Sequence, residues 1–175
     1  METGLIHVYH GDGKGKTTAA VGLGVRASGC GKRVIFSQFM KGQETGEIEA
    51  LGHLPNVTVL RSQKDFPFYS QMSDEQKQEI TDIHNDILDK LAEIVASKQA
   101  ELIIMDEITY PYNWELINRD RFLQLMEACK GNVELVLTGR NPDNIMLDKA
   151  DYITEMRCLR HPYDKGIKAR KGIEF

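Results

Sequence analysis

The residues with the most chemical potential lie in one stretch, Gly11-Asp12-Gly13-Lys14-Gly15-Lys16-Thr17-Thr18. An apolar run precedes it (residues 5–9) and a small-residue helical pattern follows it (residues 19–25). Strand, glycine-rich turn and helix form the context in which such a motif binds phosphate. The glycines let several backbone N–H groups point into one concavity, and the helix start adds its positive dipole. Lys16 places a cation among phosphate oxygens, and the Thr17 hydroxyl can ligate magnesium. The loop departs from the usual spacing: His10 stands where a first glycine belongs, Gly11 follows it, and Lys14 adds a second cation.

Two further groups suit the same chemistry. The apolar run at residues 102–105 ends in Asp106-Glu107. In a phosphate-loop protein, acids so placed hold magnesium directly or through water. Such an ending is common by chance and gains force only beside the loop. Arg140 closes the run at residues 134–138, where a guanidinium could meet phosphate or form a surface salt bridge. Both readings stay open.

The elements that must position these groups alternate. Strands are expected at residues 5–9, 33–39, 57–60, 102–107, 134–138 and 152–159. Helices are expected after the glycine-rich loop, at about 73–97, at about 120–130 and at 145–149. Ser73 with Gln76 makes a capping box. Ile80, Ile83, Ile87, Leu91, Ile94 and Val95 form a core-facing stripe, so the longest helix is scaffold. His84, between stripe residues, is expected to be structural or solvated, not a ligand. The pattern predicts an α/β fold with a mostly parallel central sheet flanked by helices, in one domain over residues 1–175. Ligands are then expected at the C-terminal ends of the strands.

Several connecting segments fall on that side. Lys41-Gly42 and Gly46-Glu47 belong either to the site or to a polar surface loop. Asp65-Phe66-Pro67-Phe68-Tyr69 clusters three aromatics around a proline, either packed down or facing an apolar ligand. Residues 110–114, Tyr-Pro-Tyr-Asn-Trp, read as a second aromatic loop. The tail from 160 to 175 gathers Arg160, Lys165, Lys168, Arg170 and Lys171. It is a solvated basic tail or a clamp for an anionic ligand.

Composition excludes several classes. A net charge of −4 argues against a general nucleic-acid footprint. Cys30, Cys129 and Cys158 lack metal-ligand spacing and fit a reducing compartment. No apolar run approaches the ~20 residues needed to span a bilayer, and no signal peptide opens the chain. The expected setting is cytoplasmic.

Taken together, the phosphate loop with Thr17-Thr18-Ala19-Ala20, Gln38-Phe39-Met40-Lys41-Gly42, Asp106-Glu107-Ile108-Thr109-Tyr110, Leu137-Thr138-Gly139-Arg140, Thr154-Glu155-Met156-Arg157, Gly166-Ile167-Lys168-Ala169 and Gly172-Ile173-Glu174 resemble the phosphate-loop ATP:corrinoid adenosyltransferases. The blocks follow that family's order along nearly the whole chain, and the variant loop is the family's own form. The resemblance implies a RecA-like sheet that transfers the 5′-deoxyadenosyl group of ATP to reduced corrinoid cobalt and releases intact triphosphate. It implies ATP reversed in the loop, with the ribose C5′ open to cobalt. Gly11 to Thr18 and Arg140 would bind ATP, with Lys14, Lys16 and Arg140 acting on the leaving phosphates. Thr17, Glu107 and Asp106 would hold Mg2+. Phe66 and Phe68 match the aromatic pair that displaces the lower axial ligand of cobalamin, and Lys41 and Tyr110 fall among the corrinoid contacts. A flavoprotein reductase as electron donor and a homodimer are also implied.

Two departures stand out. The family pair is usually phenylalanine and tryptophan, whereas both residues here are phenylalanine. Met1 falls only a few residues before the first strand, so an N-terminal cover over the corrinoid site would be missing or supplied otherwise. Attack on an sp³ carbon by a cobalt nucleophile needs no general base, and no His–carboxylate pair is evident. Two other classes use the same loop: a small kinase, with an acceptor site and an arginine-bearing lid, and a nucleotide-dependent ATPase module in which Glu107 activates water.

Overall fold

The computed structural model describes residues 3–42 and 45–174. The expectation of a missing N-terminal cover rests on Met1, outside that range. Short apolar runs become strands β1 (Ile6–His10), β2 (Val34–Gln38), β3 (Val57–Arg61), β4 (Leu102–Asp106), β5 (Glu134–Thr138) and β6 (Tyr152–Glu155). The described residues place them in one sheet of order β3-β2-β4-β5-β1-β6, and every recorded pairing is parallel.

Parallel strands covered on both faces must be apolar along their whole length, and β2 and β4 are buried at every residue. Their side chains alternate between two cores. Ile103 and Met105 face α3 (Asp74–Ala96), α5 (Arg119–Cys129) and α6 (Asn144–Lys149), while Leu102 and Ile104 face α1 (Lys16–Gly29) and α2 (Gly46–Gly52). The expected stripe on α3 supplies buried Ile80, Ile87, Leu91 and Val95, and its capping box is complete: Gln76 N–H donates to Ser73 Oγ and Ser73 N–H to Gln76 Oε1.

Three expectations are corrected. Residues 110–114, read as an aromatic loop, fall in the short helix α4 (Thr109–Asn113) and its C-cap Trp114. Pro111 is tolerated because it falls in the first turn, where backbone N–H groups have no intrahelical acceptor. Helix α2 was not expected, since seven residues flanked by glycines are too few to display a period. The last strand stops at Glu155, not 159, because the chain then turns across the phosphate loop. Met156 N–H donates to His10 O at 2.8 Å, and Gly13 N–H donates to Met156 O at 2.7 Å.

Candidate active site

The phosphate loop joins β1 to α1. Gly15 caps the helix at φ +117°, a conformation that favours glycine. Lys16, buried in the first turn, donates through Nζ to Gly11 O at 2.7 Å and Gly13 O at 2.8 Å. Two of its three protons are thereby spent on the loop, leaving one for a ligand. Burial lowers its pKa most, and the positive charge of Arg140 adds to that, while Glu107, Asp12 and Asp106 oppose it. Gly11 and Gly13 also serve the strap that follows β6. A Cβ at either would lie 2.4 or 2.6 Å from Met156 O.

Asp106 is fully buried at the end of β4 and is the hub of the site. Its Oδ1 accepts from Thr17 Oγ1 at 2.8 Å and from Thr138 Oγ1 at 2.7 Å. Its Oδ2 accepts from Gln38 Nε2 at 3.3 Å and lies 3.8 Å from Lys41 Nζ. Sequence reasoning gave neither Thr138 nor Gln38 a role in the site. Register brings Gln38 there, since it pairs with Asp106 across β2 and β4. Glu107 follows at φ +61°, with its N–H donating to Thr138 Oγ1 at 3.0 Å. Its Oε1 lies 3.5 Å from Lys41 Nζ, while its buried Oε2 has no hydrogen-bond partner. Burial raises the Glu107 pKa, the Asp106 charge raises it further, and Lys41 and Lys16 offset part of the rise.

These oxygens fit a magnesium ion. The unpartnered Glu107 Oε2 lies beside a carboxylate already aligned by two hydroxyls, and hard oxygen donors are what Mg2+ takes. Among the described residues no group of three or more His, Cys, Asp or Glu side chains forms a metal cage. An ion here would take few protein ligands and complete its shell with phosphate and water.

A cavity of about 980 Å³ opens beside this cluster, with Lys14, Thr17, Lys41 and Glu107 on its lining. Phe66, Phe68, Tyr69, Tyr110 and Trp114 also line it. Tyr69 and Trp114 stack at 4.6 Å between centroids. Phe66 packs on a small cluster of Met72, Ile80 and Leu116, whereas Phe68 is 81% exposed. The C-terminal segment also reaches the cavity through Gly172, Ile173 and Glu174, and its Arg170 is paired with Glu174 at 2.9 Å.

The family model of ATP:corrinoid adenosyltransferases described as BtuR/CobO/CobP matches residues 2–175. The chain belongs to that family. A corrinoid adenosyltransferase of Escherichia coli K12 is 30% identical over 176 residues, covering 99% of this chain and 87% of that protein. One from Pseudomonas aeruginosa is 32% identical, covering 99% and 85%. A KaiC-like protein from Pyrococcus horikoshii superimposes with a TM-score of 0.57 at 16% identity, over 90% of this chain and 73% of that one. That likeness carries the fold alone, a RecA-type phosphate-loop sheet.

In this corrinoid adenosyltransferase most residues singled out from sequence converge on one cavity. Lys14, Thr17, Thr18, Lys41, Phe66, Phe68, Glu107 and Tyr110 line it directly. Asp106 stands behind that surface, joined to it through Thr17, and Lys16 is held to the carbonyls of Gly11 and Gly13, which with Gly15 lie off the lining. Asp12 and Arg140 are also off the lining. Asp12 is exposed, and its Oδ1 accepts from Cys158 N–H at 3.3 Å. Arg140 is exposed, although its charge adds to the burial-driven lowering of the Lys16 pKa and offsets part of the burial-driven rise at Tyr110.

Proposed function

We propose that the protein transfers the 5′-deoxyadenosyl group of ATP to the cobalt of a reduced corrinoid and releases intact triphosphate. The supporting observation is one cavity lined by the phosphate loop, a carboxylate and a cluster of aromatic side chains. In the transfer a cobalt(I) lone pair forms the Co–C5′ bond. The C5′–O bond breaks, and its electron pair leaves on triphosphate. The reaction needs no proton transfer.

This chain's residues then have defined work. Gly11 to Thr18 bind the triphosphate, and the remaining Lys16 proton and Lys14 meet the charge that grows on the leaving oxygens. Arg140 contributes positive field from outside the lining. Thr17, Asp106 and Glu107 would hold Mg2+, which supplies further neutralisation of the phosphates. Phe66, Phe68 and Tyr110 give the corrinoid an apolar face and keep water from the electron-rich cobalt, and Lys41 meets the corrinoid rim. A flavoprotein electron donor and a homodimer accompany this reading, carried by the family resemblance, and a cytoplasmic setting accompanies it from the cysteine pattern.

Incubation with ATP, Mg2+ and chemically reduced cobalamin tests it. The visible spectrum should become that of adenosylcobalamin, with triphosphate formed in equal amount. ADP and orthophosphate without alkylated cobalt would identify an ATPase, and a phosphorylated acceptor a kinase.

A further inference from the structure

Behind the cavity wall, on α3, lies a buried histidine that the proposed reaction does not use. His84 is 1% exposed. Its Nε2 lies 3.3 Å from the backbone nitrogen of Met40, and its Nδ1 lies 3.0 Å from the carbonyl oxygen of Leu116. These partners dictate the tautomer. A backbone N–H can only donate, so Nε2 must be bare, and Nδ1 then carries the proton it gives to Leu116. The ring is neutral, since burial pulls its pKa down to about 4. Of the two expectations, structural or solvated, burial leaves the structural one, but the location of its two partners says more.

Each partner belongs to a segment that bends sharply next to the cavity. Met40 has φ +61°, and Glu115, immediately before Leu116, has φ +57°. Non-glycine residues hold the left-handed region only where their surroundings fix it. After Met40 comes Lys41, which reaches both Asp106 and Glu107. Just before Glu115 is Trp114, stacked on Tyr69 in the aromatic wall. One imidazole thus fastens the cationic segment by accepting a bond and the aromatic segment by donating one. Phe39, whose N–H donates to Asp106 O at 3.0 Å, also packs on its ring at 5.2 Å.

We propose that His84 is a positioning residue: its two hydrogen bonds hold Met40 and Leu116 so that Lys41 faces the Asp106–Glu107 pair and Trp114 keeps its place among the aromatic residues that line the cavity. The inference rests on the adenosyl-transfer reading for its kinetic consequence but not for its binding consequence. Misplacement by about 1 Å can cost 10²-fold in rate, and losing the Met40 anchor frees a shift of that order at Lys41.

Three variants separate positioning from packing. His84→Gln sets an acceptor oxygen near the place of Nε2 and retains the bond from Met40. His84→Asn sets a donor near Nδ1 only, and His84→Leu removes both bonds while filling the space. Turnover of pre-reduced cob(I)alamin should fall roughly 10- to 100-fold in the Asn and Leu variants and stay within about threefold in Gln. The dissociation constant of MgATP, measured by calorimetry without corrinoid, should weaken in the same order. In a Lys41→Ala background, His84→Asn, which loses only the Met40 bond, should add less than about threefold, since the two act through one contact. Equal losses in Gln and Leu, or full additivity with Lys41→Ala, would overturn the role of His84. A wild type that binds MgATP but alkylates no cobalt would overturn the reaction reading alone, because the calorimetric series still decides the role of His84.

Discussion

The two walls of the cavity differ in how far their bonding capacity is already spent. On the phosphate side, Asp106 is fully buried and holds two hydroxyls and an amide, while Lys16 already donates to two carbonyls. On the aromatic side, Phe68 is 81% exposed and Phe66 is half-buried on a three-residue cluster. One wall is set before substrate arrives; the other has apolar surface still to be covered. Charge stabilisation works best when donors need no reorganisation during reaction. An apolar face gains by staying open, because covering it when the corrinoid binds is itself favourable.

The sharpest break in this contrast is Lys16→Ala. It deletes the cation held at the loop, and turnover with cob(I)alamin should fall on the order of 10²- to 10³-fold. A wild-type rate at saturating ATP and Mg2+ would mean the rigid wall is not where the leaving group sits.

Glu107→Gln comes next and separates stability from activity. Burial raises the pKa of Glu107 above its unfolded value. Its favourable contribution to folding is therefore present below the unfolded pKa and is lost as pH rises through the folded one. Above the folded pKa the buried charge opposes folding, so the glutamine variant should melt no lower than wild type as pH rises. Its Mg2+-dependent turnover should nonetheless drop about 10- to 100-fold, as when a ligand shell is disturbed. Thermal melts at pH 5 and pH 8 check the sign, because the advantage of the variant should shrink at the lower pH.

Sequence carried the rigid wall better than the open one, for physical reasons. A phosphate loop has a spacing that only one geometry satisfies, and a carboxylate pair after an apolar run declares where a strand ends. The convergence of Lys16, Thr17 and Asp106 was therefore legible. The second duty of Gly11 and Gly13 was not, since packing against Met156 joins residues more than 140 positions apart. Thr138 and Gln38 escaped for the same cause, as strand register is a long-range property. The aromatic segments declared their composition, but helix α4 stayed hidden because Pro111 reads as a breaker unless the first turn is known to contain it.

The smallest effect expected with cob(I)alamin, and the one that most sharpens the contrast, lies in the two phenylalanines. Reducing cobalt from +2 to +1 becomes easier once its axial ligand is lost, and an apolar side chain crowding the lower face cannot replace that ligand. Phe68, mostly exposed, has little packing to lose, so Phe68→Ala should leave the melting temperature within about 1 °C, as an exposed substitution does. It should slow turnover of cob(II)alamin with a weak reductant while hardly affecting pre-reduced cob(I)alamin. Phe66 rests on Met72, Ile80 and Leu116 and lies within 5.5 Å of Lys64 Nζ. Truncating it should destabilise the fold by less than the ~3–5 kcal/mol of a fully buried phenylalanine, and should slow cob(II)alamin turnover as well. The order of the two variants decides the matter. If Phe68→Ala is silent with both cobalt states while Phe66→Ala harms both in step with its melting temperature, the aromatic wall is packing. If Phe68→Ala slows only the cobalt(II) assay at unchanged stability, the exposed ring is the part held open for the corrinoid.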